Sequence, residues 1–172
     1  MAPRKGANRA LKGVVLLGHG MVPKDFPGEL AAEFRRLSQT GKDPARLSRL
    51  ASQIRQWPRN PANDPYQAGL EAIAGALQAL MPERIVVTAF HEFCAPDLAE
   101  AVEKAVGLKA REIAVITTMY TRGGVHSEDE IPEIVERLRR RHPRVKLRYV
   151  WPFDLKGIAR FLSDEIIRAE RG

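Results

Sequence analysis

Four short apolar runs constrain this chain more than any other feature: GVVLLG (13–18), RIVVTAF (84–90), EIAVITTM (112–119) and KLRYVW (146–151). Runs of this length, rich in Val and Ile, have the pattern of strands buried on both faces. Helical periodicity fills the intervals between them. Leu30, Phe34 and Leu37 form one stripe, Leu47, Leu50, Ile54 and Trp57 a second, and Leu70, Ile73, Leu77 and Leu80 a third. Asp43-Pro44 and Asp64-Pro65 each place a capping side chain before a proline suited to the first helical position. Further helices are expected from Pro96 to Val106, closed by Gly107, from about Ile131 to His142, and from Leu155 to Ala169. The order β-α-α-α-β-α-β-α-β-α predicts an α/β fold. Its core is an open, mainly parallel four-stranded sheet with helices on both faces, a three-layer α/β/α sandwich.

At 172 residues and 44% hydrophobic, the chain is expected to form one domain over 1–172. Its single cysteine, Cys94, excludes an internal disulfide framework and a cysteine-rich zinc site. No stretch is apolar enough for a signal peptide or membrane span, so the expectation is a cytoplasmic protein without a membrane partner. A net charge of +7 implies an anionic partner. The first twelve residues, with Arg4, Lys5, Arg9 and Lys12, read as a flexible basic tail. The second basic cluster, RLRRRHPRVK (137–146), runs off a helix end, where cations meet unsatisfied carbonyls. It has no interleaved aromatic residues and no nucleic-acid fold signature accompanies it, so nucleic acid is not the expected partner.

Ligands of open parallel sheets bind outside the carboxyl ends of the strands. His19-Gly20 follows the first run, His91-Glu92 the second, Gly123-Gly124-Val125-His126 the third and Pro152-Phe153-Asp154 the fourth. Three of the four histidines thus collect on one edge, and the basic cluster with His142 lies on the other. Imidazole with carboxylate and no cysteine pair suits a divalent transition metal such as iron, cobalt or nickel, with coordination positions left open. The segment TRGGVHSEDEIP (121–132) admits two readings. In one, Ser127 and Glu130 form a capping box and Glu128 and Asp129 complement the helix dipole. In the other, His126 is a ligand held at a helix start, where the dipole keeps its nitrogen lone pair available. Pro132 disfavours helix at Ile131, which predicts a later helix start. Other chemistries find little support: there is no G-x-S-x-G elbow, no dinucleotide fingerprint and no phosphate loop, and Cys94 has no clear activating partner.

VVLLGHG (14–20), HEFCAPDLAEAV (91–102) and above all GGVHSEDEIP (123–132) resemble the small sirohydrochlorin cobaltochelatases and ferrochelatases, the class II tetrapyrrole chelatases. The resemblance spans nearly the whole sheet and is weakest over 39–67, an inserted helix and proline-punctuated loop that compact relatives lack. It implies a lyase that inserts a divalent metal, cobalt first and iron or nickel as alternatives, into sirohydrochlorin or a related tetrapyrrole. Metal and tetrapyrrole are both substrates, and no other cofactor is implied. His19 and His126 match the family's metal-handling pair and Glu92 its acidic residue. These three are the implied catalytic groups, with Glu92 and His91 as further candidate ligands. Gly20, Met21, Gly123, Gly124 and Val125 are the implied substrate contacts. Met21 replaces a usual serine and His91 a usual apolar residue, which leaves His91 as either a ligand or a hydrogen-bonded loop residue. A non-catalytic metal or tetrapyrrole carrier of the same fold is the alternative. Larger relatives fuse two such halves around one cleft, which implies a homodimer for this single copy, and part of the 39–67 segment is expected to border the cleft.

Overall fold

The computed structural model describes residues 10–172. Four strands, β1 (Leu11–Gly18), β2 (Arg84–Phe90), β3 (Ala110–Thr117) and β4 (Lys146–Tyr149), form one sheet in the order β2-β1-β3-β4. All pairings are parallel: Gly18 lies opposite Phe90, Leu17 opposite Thr117, and Val115 opposite Tyr149. The chain leaves β1 toward one side of the sheet and β3 toward the other. The carboxyl ends of β1 and β3 therefore flank the switch point at which such sheets open a crevice.

Six helices complete the fold: α1 (Gly28–Thr40), α2 (Pro44–Gln56), α3 (Pro65–Leu80), α4 (Leu98–Gly107), α5 (Ile131–Arg141) and α6 (Leu155–Arg171). On one face of the sheet, Val15, Leu17, Val87 and Val115 pack with Leu98, Val102 and Ala105 of α4 and Ile131, Val135 and Leu138 of α5. On the other, Leu16 and Phe90 pack with Leu70 and Ala74 of α3 and with Cys94. A smaller third cluster joins Phe26, Ala31 and Ile54 to Phe34, Trp57 and Phe93, so the helices α1 and α2 bury their stripes against each other beside the carboxyl edge of the sheet. Among the described residues no helix is long and apolar enough to cross a membrane.

Asp43 and Asp64 cap α2 and α3 by accepting from the N–H groups of Arg46 and Gln67, with proline at the following position. Several boundaries differ from the sequence expectation: β3 starts and ends two residues earlier than 112–119 and β4 ends at Tyr149. Residues 1–9 of the expected tail lie outside the described residues, whereas Lys12 stands within β1, its Nζ 3.7 Å from Glu112. The helix expected from Pro96 begins at Leu98, because Asp97 and Glu100 form a full capping box. Gly107 is the last residue of that helix, and the left-handed turn falls on Lys109 at φ 70°. Asp97→Ala is expected to lower stability by about 1 kcal/mol, the usual worth of such a cap, read as a shifted urea midpoint at unchanged slope.

α6 stands apart from the other five helices. It buries no residue fully, and Leu155, Phe161, Leu162, Ile166 and Ile167 are exposed. A pocket of about 380 Å³ lies between its first turns and the end of β3, lined by Thr117, Tyr120, Phe153, Ile158 and Phe161.

Candidate functional site

Pairing between β1 and β2 continues past the strands. The His91 N–H donates to the Gly18 carbonyl at 2.9 Å and the Glu92 N–H to the His19 carbonyl at 2.8 Å. This brings the two sequence motifs side by side. Gly20, at φ 95°, packs so tightly that a Cβ would stand 2.0 Å from the Glu92 carbonyl oxygen, so only glycine fits. The Tyr66 hydroxyl of α3 accepts from the His19 N–H at 2.8 Å.

His126 arrives from β3. Gly123 takes φ 87°, and the chain then enters a π-helical turn, His126–Glu130, that runs directly into α5. The Ile131 N–H reaches back to the His126 carbonyl, the wide spacing of such a turn. Pro132 has no N–H to donate, and the Ser127 carbonyl it leaves open accepts instead from the Tyr149 hydroxyl at 3.1 Å. Burial pushes the Tyr149 phenol up to about 12, so it remains a donor. The capping box, one of the two readings of this segment, is absent: the buried Ser127 hydroxyl donates to the Met119 carbonyl at 3.3 Å and Glu130 bonds His126 and His91 instead. The helix also starts earlier than Pro132 suggested, because the proline falls in the first turn, where a missing N–H is tolerated.

The ring centroids of His19 and His126 are 5.2 Å apart, and those of His91 and His126 4.5 Å apart. The His19 Nδ1 lies 2.9 Å from the Gly20 carbonyl, an acceptor only, so this nitrogen carries the proton and Nε2 presents its lone pair. The His19 Nε2 is 3.7 Å from the Glu92 carboxylate, too far for a hydrogen bond and close enough for both to reach one ion. The His126 Nδ1 is 2.8 Å from Glu130 Oε2, which by the same logic leaves its Nε2 free. His91 Nε2 meets the same carboxylate oxygen at 2.6 Å. The ligating atoms of His91, His126 and Glu130 all lie within 4.8 Å of one another.

His19, His91, Glu92 and His126 are thus brought together, and His142 is not: it caps the far end of α5 and bonds Glu103 at 2.9 Å. Of the expected substrate contacts, Met21, Gly123, Gly124 and Val125 are exposed around the histidines, and Gly20 is buried in the loop joint. The sequence reading missed Glu130 as a partner of His126, although a spacing of four places both on one helix face. Hydrogen bonds from His126 and then His91 hold the Glu130 carboxyl below its ordinary 4.5. Its ionised form therefore adds stability above that value, and the contribution is lost as pH falls through the lowered one; exposure keeps it small.

Two further residues bear on the site. The Arg59 guanidinium, from the inserted loop, donates to the Met21 carbonyl at 2.9 Å and the Ile54 carbonyl at 3.1 Å, and also to the Phe93 carbonyl and the Asp64 carboxylate. The insert therefore reaches the carboxyl edge of the sheet and ties both loops of the site. Cys94, two residues beyond Glu92, is buried, and burial pushes its thiol up to about 11, so it offers neither a nucleophile nor a thiolate ligand at neutral pH.

The structure is similar to SirB from Bacillus subtilis with Fe³⁺, at a TM-score of 0.48 and 19% identity, over 81% of this chain and 39% of that one. Similarity extends to the sirohydrochlorin chelatase SirB from Bacillus subtilis subspecies spizizenii in complex with cobalt, at 0.45 and 18%, over 83% of this chain and 43% of that one. A CbiX protein from Marinobacter aquaeolei VT8 gives 0.46 and 16%, over 94% and 99% of the two chains. This chain spans about two fifths of the length of the first. No curated protein matches it. The CbiX family profile matches residues 62–165, more than half of the chain. That span includes His91, Glu92, His126 and Glu130 and begins after His19. The chain belongs to the CbiX family.

Proposed function

We propose that this protein inserts a divalent metal ion into sirohydrochlorin or a related tetrapyrrole, with cobalt as the physiological metal and iron or nickel as chemically competent alternatives. The observation that carries the proposal is the pair of imidazoles at the switch point, His19 and His126, with ring centroids 5.2 Å apart, each with Nδ1 engaged and Nε2 free, and with the Glu92 carboxylate 3.7 Å from the His19 Nε2. Such a set holds a borderline divalent ion without saturating it, so open positions remain for pyrrole nitrogens. Insertion places one ion in the macrocycle and releases two pyrrole protons. As the ion leaves them, the two Nε2 lone pairs and Glu92 are free to accept those protons. The net charge of +7 attracts a polycarboxylate substrate, and Arg122, exposed immediately before Gly123, adds a cation at the mouth. Protein mixed anaerobically with sirohydrochlorin and Co²⁺ is expected to turn over many equivalents, followed by absorbance. A burst that stops at one equivalent per chain overturns catalysis in favour of a carrier.

The same proposal takes the working unit as a homodimer. Support comes from α6, whose residues Leu155, Ile158, Leu162, Ile166 and Ala169 form one stripe. Its spacing of three, four, four and three reads identically in both directions from Leu162. A two-fold pair lays the same surface of both copies together, and Leu155, Leu162 and Ile166 of this stripe are exposed and available to be buried in that way. Light scattering at micromolar concentration is expected to read twice the 19.2 kDa of the chain, and Leu162→Asp to read the single mass. A wild-type protein at the single mass with full turnover refutes the pair.

A further inference from the structure

The cluster of His91, His126 and Glu130 has two chemical readings, and the unpaired atom in it decides between them. Its three ligating atoms lie close enough to hold an ion themselves. For His91 to do so through Nε2, the ring proton would have to move to Nδ1. That atom is buried and has no hydrogen-bond partner, and the His91 side chain is only 7% exposed. A proton moved to Nδ1 would be buried without an acceptor and would leave Nε2 facing an acceptor-only carboxylate at 2.6 Å, whereas a proton on Nε2 is bonded. The ring is therefore held with its proton on Nε2, donating to Glu130. His126 would also have to give up its bond to Glu130 and meet the ion through Nδ1, on the side of the ring away from its free Nε2.

We infer that Glu130 and His91 are positioning residues: Glu130 fixes His126 as the Nδ1–H tautomer so that Nε2 meets the metal, and His91 anchors the Glu130 carboxylate without touching the ion. This rests on the reading of His126 as a metal-handling residue. A carboxylate behind a ligating imidazole orients the ring, selects its tautomer and raises its basicity. The arrangement here adds a second imidazole behind the carboxylate, supplied by the β2 loop. Glu130 is a side chain on a turn with 46% exposure and would otherwise be free to rotate toward solvent. One carboxylate oxygen receives both N–H donors, at 2.6 Å and 2.8 Å, so loss of His91 releases the group that holds His126.

The test reads nitrogen protonation directly. In long-range ¹H–¹⁵N spectra of the metal-free protein, His126 is expected to show the Nδ1–H tautomer and His91 the Nε2–H tautomer. Addition of Zn²⁺, a diamagnetic probe, is expected to perturb the His126 Nε2 and leave the His91 pattern intact. A His91 Nε2 that loses its proton to Zn²⁺ overturns the inference. Two variants give an independent readout. Glutamine can place an amide N–H near the position of the His91 Nε2, so His91→Gln is expected to keep Co²⁺ affinity within about threefold, while His91→Leu loses ~10–100-fold. In the insertion assay, His91→Leu is expected to raise the KM for Co²⁺ and leave the KM for the tetrapyrrole unchanged. Equal losses in the two variants show a ligand, and no loss in either shows a bystander; both outcomes overturn the proposal. The spectra and the Co²⁺ titration need no tetrapyrrole, so failure of the chelatase reading leaves them interpretable.

Discussion

His126→Ala and His19→Ala are each expected to lower the rate of metal insertion by at least ~100-fold while the protein stays folded. Both side chains are partly exposed, His19 at 37% and His126 at 33%, so truncation empties no core volume, and surface changes of this kind shift stability little. The loss falls on chemistry because each ring supplies one of the two Nε2 lone pairs at the switch point. Circular dichroism and the urea midpoint check the fold, and insertion of Co²⁺ into sirohydrochlorin checks the rate. His142→Ala is the control: its ring binds Glu103 at the far end of α5, and turnover should be unchanged. Near-normal turnover in both site variants sinks the assignment of the pair.

Arg59→Ala is expected to destabilise the fold by about 3–5 kcal/mol, the range found when one partner of a buried ion pair is removed. The Arg59 side chain is 7% exposed and that of Asp64 1%, so truncation strands a carboxylate that water barely reaches. The guanidinium also serves the carbonyls of Met21, Ile54 and Phe93, three separate segments that lose a shared donor together. Asp64 keeps its bond from the Gln67 N–H, so Arg59→Met with Asp64→Asn removes the stranded charge and preserves the cap. That double variant should recover part of the loss in urea denaturation. A single-variant cost below about 1 kcal/mol contradicts a pair of this kind.

The sheet was legible because its evidence is local. Val14, Val15, Val86, Val87, Ile113 and Val115 fall in runs with few polar interruptions, and Asp43-Pro44 and Asp64-Pro65 mark helix starts within two residues. The edge that carries His19, His91 and His126 followed from parallel pairing alone, and the resemblance to chelatases added the roles. The turn at 126–130 resisted the same treatment. Ser127 and Glu130 have the spacing of a capping box, yet Ser127 is claimed by Met119 and Tyr149, and Glu130 by His91, 39 residues earlier in the chain. Those partners meet only once β2, β3 and β4 are assembled in one sheet around β1, and no local rule can see them. Arg59 is similar: in sequence it is a cation in a proline-rich loop, and only the fold puts three carbonyls and a carboxylate around it.

The single thiol gives this architecture a built-in clock for its own opening. Cys94 is 3% exposed and packs with Leu16, Leu70 and Phe90, and its thiol is raised to about 11. At pH 7 such a thiol is almost entirely protonated, and its 3% exposure leaves an alkylating reagent little access in the closed state. Alkylation then proceeds only through excursions that lift α3 from the sheet or release the segment beyond Glu92. The labelling rate, followed by mass in the native protein, measures the free energy of those excursions at a point two residues from the site, as amide exchange does for backbone groups. Among the described residues no second cysteine competes for the reagent, so each chain carries one addressable position whose accessibility is set by the packing around the Glu92 loop.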